Sequence, residues 1–105
     1  MENMPVASVT AAKLKPDASI DEARKVWNEN IIPAIKGEKG FIGGFLLVAE
    51  DKGDSIALVL YESRADAEAV QKSGLYRKQV AKFVAFIDKI EDRKIYDVNS
   101  EITLK

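Results

Sequence analysis

Tyr61, Tyr76 and Tyr96 carry the only phenol groups of the chain. A phenol in a pocket can orient or deprotonate a substrate, but its unperturbed pKa of about 10 must shift strongly before it acts as a base. Tyr61 lies where a predicted strand meets a helix, and Tyr76 falls on the core side of a predicted helix. These two are the candidate catalytic residues. In the alternative interpretation, each is a core aromatic whose hydroxyl bonds to backbone.

Three more types of side chain complete the candidate ligand pocket. Arg64 and Arg77 can stabilise a developing enolate or phenolate, although such arginines are more often solvated surface charges. Trp27 lies on the apolar stripe of the first predicted helix and Asn30 follows on its flank, so the two can form the aromatic wall and the amide of a pocket between helix and sheet. Alternatively, Trp27 belongs to the core and Asn30 satisfies backbone groups beside Pro33.

Histidine and cysteine are both absent from the 105 residues. The chain therefore lacks the commonest metal ligand, the usual base near neutral pH, the thiolate nucleophile and the usual proximal ligand of haem. Asp51 and Asp54 flank a glycine turn and are interpreted as turn formers. We expect no metal site and no cofactor, so any reaction must use the remaining polar side chains or reactivity already present in the substrate.

The composition is that of a soluble globular protein, with 47% hydrophobic residues, 31% charged residues and a net charge of -1. The 16 basic and 17 acidic residues form no basic stripe, so we expect no nucleic-acid partner. The longest apolar run, residues 41–49, is far shorter than the ~20 residues that span a bilayer. The first six residues show no signal-peptide pattern. We expect one domain over residues 1–105, a cytoplasmic location and no membrane partner.

The apolar periodicity predicts six elements that position these residues, in the order strand, helix, strand, strand, helix, strand. The predicted strands cover residues 6–15, 41–50, 55–62 and 94–104. The first helix follows a cap at Ser19 and bends near residues 30–32, because Pro33 has no N–H. The second follows a cap at Ser63, is interrupted at residues 73–74, and continues to Ile90. This order predicts an α+β, ferredoxin-like fold with a four-stranded antiparallel sheet and both helices on one face.

The central hairpin is apolar on both faces, and Gly53 is the expected positive-φ residue of its turn. Gly43 and Gly44 are typical of a bulge or of a place where side chains opposite need room. The alternation places Phe41, Phe45 and Leu47 on one face of the first strand, opposite Ile42, Leu46 and Val48. In the second strand, Ile56, Leu58 and Leu60 lie opposite Ala57, Val59 and Tyr61. Because soluble monomers rarely expose so large an apolar patch, we predict a homodimer that packs the open faces of two sheets together.

With this element order and the segment GFIGGFLLVAEDKGDSIALVLYESRADAEA (residues 40–69), the chain resembles the antibiotic biosynthesis monooxygenase (ABM) domain family of the dimeric α/β-barrel superfamily. Further matching features are a helix-ending proline followed by Gly-Phe-x-Gly (Pro33 and residues 40–43) and a Tyr-Glu-Ser strand end (residues 61–63). The family includes cofactor-free oxygenases of aromatic polyketides, haem-degrading enzymes and small-molecule isomerases. Val70 and Val80 stand where members have histidine, so we do not expect haem degradation.

Three functions stay open at this point. The resemblance implies a cofactor-independent monooxygenase that deprotonates and orients a small phenolic or anthrone-like molecule, whose own carbanion then reduces oxygen. An isomerase of a small polar metabolite would need a base that the sequence does not identify. A ligand-binding or stress-related dimer without turnover fits an apolar pocket that has no obvious acid–base pair.

Overall fold

Five strands form one antiparallel sheet in the part of the chain that the computed structural model describes, residues 5–100. The sheet order is β2-β3-β1-β4, and β5 also pairs with β1. The strands are β1 (Val6–Leu14), β2 (Phe41–Val48), β3 (Asp54–Tyr61), β4 (Ile87–Ile90) and β5 (Lys94–Asp97). The α+β, ferredoxin-like architecture predicted from the sequence is confirmed.

The edge of the sheet beyond β1 is shared by two short strands. β5 pairs with the first half of β1, from Val6↔Asp97 to Val9↔Lys94, and β4 pairs with its end, from Ala12↔Ile90 to Leu14↔Ile87. The prediction of helix through Ile90 was therefore wrong. Apolar residues three and four positions apart suit a helical stripe, but they also occur in a short strand that follows directly after a helix. The predicted last strand is described over Lys94–Asp97, and its residues 101–104 lie outside the described part.

The first helix contains a π-helical turn. It consists of α1 (Ile20–Val26), the π-helical segment Trp27–Ile31 and α2 (Ile32–Ile35). The Ser19 hydroxyl accepts the Glu22 N–H at 3.2 Å, which confirms the predicted cap. At the predicted bend, the Ile32 N–H donates to the carbonyl of Trp27, five residues back. This wider turn precedes Pro33, which cannot donate to the usual carbonyl, and it keeps Trp27, Ile31 and Ile35 buried together.

The second helical region forms α3 (Arg64–Lys72) and α4 (Leu75–Phe83), followed by a 3₁₀ turn at Val84–Phe86. The Ser63 hydroxyl accepts the Asp66 N–H at 3.1 Å, as the capping pattern predicted. Gly74 has a φ of 84°, which glycine adopts readily, and the predicted interruption at residues 73–74 is confirmed. None of the helices within residues 5–100 combines the length and the apolar character that crossing a membrane requires.

A bulge in β2 changes which side chains share a face. The pairing of β2 with β3 shifts between Phe41 and Gly43, so Ile42 is the extra residue. Phe41 consequently lies opposite Tyr61 on the face that carries the helices, and the prediction that it shares a face with Phe45 was wrong. In the turn, Lys52 rather than Gly53 has positive φ, at 61°.

The face of the sheet opposite the helices is apolar, and no other part of residues 5–100 covers it. We call it the open face and define it by Val9, Phe45, Leu47, Ile56, Leu58, Leu60 and Tyr96. Phe45 is 56% exposed and Tyr96 is 50% exposed, which are large fractions for aromatic side chains on a sheet. The second apolar face predicted for the hairpin is therefore present.

Candidate functional site

A cavity of about 110 Å³ lies between the sheet and the helices. Alternate side chains of β1 and β3 form its floor, because successive strand residues point to opposite faces. Trp27 and Phe83, whose ring centroids are 6.4 Å apart, belong to the helical wall. The wall is mostly apolar and includes seven polar or phenolic residues: Ser8, Thr10, Ser55, Tyr61, Tyr76, Gln79 and Arg93.

Three of the predicted pocket residues line this cavity: Trp27, Tyr61 and Tyr76. The structure brings them together from the first helix, the end of β3 and the start of α4. Trp27 is also a buried core residue, so the pocket and core interpretations hold at the same time.

The other three predicted pocket residues lie outside the cavity lining. Asn30 is exposed on the π-helical segment, and Arg77 is exposed on α4. Arg64 donates from Nη2 to Oδ1 of Asp97 at 2.9 Å, in an exposed ion pair. Arg77 directly follows Tyr76 on α4, and neighbouring helix residues point in different directions, so its side chain faces solvent. Arg64 is the first residue of α3, and Asn30 lies in the π-helical segment, where the regular α-helical spacing does not hold.

Tyr61 is the most deeply buried large side chain of the site, with 1% of its surface exposed. Its ring packs edge-on against Phe41 at a centroid distance of 6.5 Å. Burial raises the pKa of the Tyr61 phenol, and the opposing effect of the Arg93 charge is smaller. Tyr61 is therefore a neutral phenol near neutral pH, which can donate a hydrogen bond to a ligand but is poorly suited to act as a base.

This burial predicts a pH effect on stability. Below about pH 10 the Tyr61 phenol is neutral in both the folded and the unfolded chain. Above that pH the unfolded chain loses the phenolic proton first, because its pKa is the lower of the two. Stability should therefore fall as the pH rises through that range, and Tyr61→Phe should remove part of the fall. An ultraviolet absorbance titration should show a late step, at a pH above the ordinary phenol range, that belongs to Tyr61. Tyr96→Phe, at an exposed position, should leave that late step in place, and a late step that survives Tyr61→Phe would contradict the assignment.

Arg93 joins the turn after β4 to the cavity. Its Nε donates to the Ser8 hydroxyl at 2.6 Å and its Nη2 donates to the Ala67 carbonyl at 2.9 Å. Its Nη1 donates to Oε1 of Gln71 at 3.1 Å. The guanidinium carbon stands 5.3 Å from the centroid of the Tyr76 ring, within cation–π range.

The Arg93 charge has only neutral hydrogen-bond acceptors among the described residues, and no carboxylate there forms an ion pair with it. Burial lowers the pKa of the guanidinium, although Tyr61, Tyr76 and the more distant Glu68 oppose this effect. Arginine nevertheless stays protonated in proteins. The cavity wall thus carries a fixed positive charge that has no close counter-ion within residues 5–100.

Sequence reasoning missed both Arg93 and Gln79. Arg93 stood in a charged turn, Glu91-Asp92-Arg93, which is typical of a solvated loop. Gln79 is three residues after Tyr76 on α4, and the spacing from a candidate residue was the one local signal that could have identified it. Within the described residues, no cluster of three side chains suited to hold a metal ion occurs.

No family model matches the chain, and no curated protein matches it. Solved structures do match. A protein from Nitrosomonas europaea assigned to the antibiotic biosynthesis monooxygenases has 20% identity and a TM-score of 0.69, with 94% of each chain covered. The Rv0793 protein from Mycobacterium tuberculosis has 21% identity and a TM-score of 0.69, covering 94% of this chain and 99% of that one.

SnoaB, a cofactor-independent oxygenase from Streptomyces nogalater, has 11% identity and a TM-score of 0.73, covering 94% of this chain and 97% of that one. Identities this low show a shared fold, and activity has to be argued from the site. The fold that the sequence resemblance implied is thereby confirmed: this chain has the fold of the antibiotic biosynthesis monooxygenase proteins.

Proposed function

We propose that this protein is an ABM-like, cofactor-independent oxygenase that binds the ionised form of a small, electron-rich phenol in the cavity. The observation that carries the proposal is the Arg93 guanidinium, a half-buried cation on the cavity wall whose hydrogen-bond partners among residues 5–100 are all neutral. A poorly compensated charge in a partly buried position costs free energy, and an anionic ligand offsets that cost. The apolar and aromatic remainder of the wall suits the ring of such a ligand.

The two candidate tyrosines take different roles in this proposal. Tyr61, kept neutral by burial, donates its hydroxyl hydrogen to the bound oxyanion. Tyr76 holds the guanidinium against its ring, and its hydroxyl accepts a hydrogen bond from Thr10 at 3.3 Å. The described cavity lining contains no carboxylate and no lysine. The protein therefore selects a phenol that has already ionised in solution, instead of removing the proton itself.

The substrate supplies the electrons for the reaction. The phenolate passes electrons to O₂, a C–O bond forms at an unsubstituted ring carbon, and the O–O bond then breaks. One oxygen atom remains in the product as a quinone carbonyl, and the other leaves as water. The ring hydrogen and one proton taken up from solvent, which replaces the proton lost when the phenol ionised, become the two hydrogens of that water. Phenolate, one proton and O₂ thus yield quinone and water. Arg93 stabilises the phenolate that enters this sequence.

A ligand-binding protein without turnover is the second candidate. The raised pKa of Tyr61 favours it, because the phenol best placed in the cavity is a poor base. Binding of a phenolate at Arg93 is common to both candidates. An isomerase, by contrast, needs a proton acceptor, and the described lining supplies no carboxylate or lysine for that role.

The biological unit in this proposal is a cytoplasmic homodimer of one-domain chains. The support for the dimer is the open face, whose aromatic residues Phe45 and Tyr96 are half exposed in one chain. Packing the open faces of two copies about a two-fold axis covers both patches with the same residues. The cavity lies on the opposite face of each sheet and stays within its own chain.

Oxidation of guaiacol (2-methoxyphenol) at about pH 9, where part of this phenol is ionised in solution, tests the oxygenase proposal under isotope-labelled oxygen gas. We expect oxygen uptake above the protein-free rate, with one labelled atom in methoxybenzoquinone, measured by mass spectrometry. Arg93→Met should lower the rate at least about tenfold, the effect of losing one stabilising donor of this kind. Saturable binding without uptake would support the binding protein instead. Product formation without oxygen would contradict both candidates.

A further inference from the structure

The amide of Gln79 is buried in the cavity wall, and its oxygen has no hydrogen-bond partner within residues 5–100. Gln79 is 9% exposed, and no donor of the described residues reaches its Oε1 atom. It lies on the cavity side of α4, between Tyr76 and Val80, which also line the cavity. Buried amide oxygens in native proteins are almost always paired, so an unpaired one requires an explanation.

Packing alone does not require an amide at this position. The neighbouring lining positions of α4 are filled by Val80 and Phe83, and an unbranched apolar side chain as long as glutamine would fill the same space. Such a side chain would avoid the cost of removing an amide from water. A glutamine in this place therefore carries a cost to stability, which a ligand that donates a hydrogen bond to Oε1 would offset.

The volume of the cavity limits the size of that ligand. Apolar cavities of about 150 Å³ admit benzene. A cavity of about 110 Å³ is therefore close to the size of one aromatic ring, and a larger ligand would extend beyond it. The buried part of the ligand is then a single ring.

We propose that Gln79 selects single-ring ligands that carry a neutral O–H or N–H donor besides the ionised hydroxyl, such as a dihydroxybenzene or an aminophenol. The donor binds Oε1 of Gln79, and the ionised oxygen binds Arg93. The contact with Arg93 rests on the function proposed above, whereas the contact with Gln79 rests on the buried amide alone. Both side chains line the same cavity, as binding of one ring to both groups requires.

The test compares two kinds of acidic fluorinated phenol that differ by one substituent. Pentafluorophenol has the ionised oxygen and no further donor. Tetrafluorohydroquinone and tetrafluorocatechol replace one fluorine with a hydroxyl, at two different ring positions. With the full chain, the tighter-binding diol should bind about tenfold more strongly than pentafluorophenol. This factor corresponds to the net free energy that one buried hydrogen bond usually contributes. Fluorine NMR titration measures the dissociation constants.

Gln79→Met keeps the length of the side chain and removes the acceptor. The preference for the diol should fall to about one, while Lys78→Met, a change at the exposed neighbour of Gln79 on α4, should leave it unchanged. Gln79→Glu keeps an acceptor and should retain the preference, and it serves if the methionine variant does not fold. Without ligand, Gln79→Met should melt a few degrees higher, because it removes a buried unpaired amide.

A preference near one in the unchanged protein would overturn the proposal, as would a tenfold preference that survives Gln79→Met. A methionine variant that melts lower than the unchanged protein would show that the amide serves the fold, and would also overturn it. Arg93→Met should weaken both probes equally and leave their ratio intact. The ratio therefore tests Gln79 even if the protein oxidises no phenol.

Discussion

Arg93→Met should weaken the binding of ionised pentafluorophenol by about ten- to a hundredfold. A hydrogen bond to a charged group contributes about 1.5–3 kcal/mol, and each 1.4 kcal/mol corresponds to a factor of ten. The variant removes the positive charge that lines the cavity and keeps an unbranched apolar side chain in its place. Isothermal titration calorimetry at a pH where the probe is fully ionised measures the change directly.

The same substitution should reverse the direction of the ligand's own pKa shift. A nearby positive charge favours the phenolate, so binding to the unchanged protein should lower the pKa of pentafluorophenol. In Arg93→Met the apolar cavity remains, burial disfavours the charged form, and the pKa of the bound phenol should rise above its value in water. The fluorine chemical shift follows ionisation, so one pH titration for each protein gives both directions.

Arg64→Met is the matched control, because it removes a guanidinium that pairs with Asp97 at the surface. It should change neither the affinity nor the pKa of the probe. Arg93→Lys keeps the charge but not the fork-shaped donor set, so its affinity should fall between those of the unchanged protein and the methionine variant. Equal affinity in all four proteins would show that Arg93 serves the fold through Ser8 and Ala67 and has no part in binding.

The fold could be predicted from the sequence because its signals are local. Ser19 and Ser63 each stand three residues before an acidic residue, and both form the hydrogen bonds expected of caps. Pro33 indicated that the helix is irregular just before it, where the π-helical segment lies. The errors arose where two structures share one pattern: Ile87 and Ile90 continue the apolar spacing of α4, yet they form a strand beside β1.

The cavity could be predicted only in part, because its composition depends on contacts between distant residues. Tyr61 and Tyr76 follow from the alternation of β3 and the periodicity of α4, so their directions were predictable. Arg93 reaches the cavity by binding Ser8, 85 residues away along the chain. No local spacing encodes that pairing. Arg64 and Arg77 were chosen instead because they stand close to Tyr61 and Tyr76 in the sequence. Arg64 is the first residue of α3 and Arg77 directly follows Tyr76 on α4, and the sequence pattern does not show that both side chains point to solvent.

Leu58→Asp should convert the proposed dimer into a monomer. Leu58 lies at the centre of the open face, paired with Phe45 on one side and Val9 on the other. A two-fold interface would bury one aspartate from each copy, and each buried charge costs several kcal/mol. The dissociation constant should therefore rise by more than about a thousandfold. Native mass spectrometry and sedimentation equilibrium at micromolar concentration measure the change.

Val84→Asp provides the matched control, since Val84 is 63% exposed in the 3₁₀ turn after α4 and lies outside the open face. It introduces the same charge on an exposed apolar position and should leave the dimer intact. An unchanged protein that stays monomeric, or a Leu58→Asp variant that stays dimeric, would contradict the proposed interface. Because the cavity lies on the other side of the sheet, the monomeric variant should still bind pentafluorophenol as long as its circular dichroism shows a folded chain. Loss of binding in a folded monomer would instead mean that the second copy holds the cavity in its binding shape.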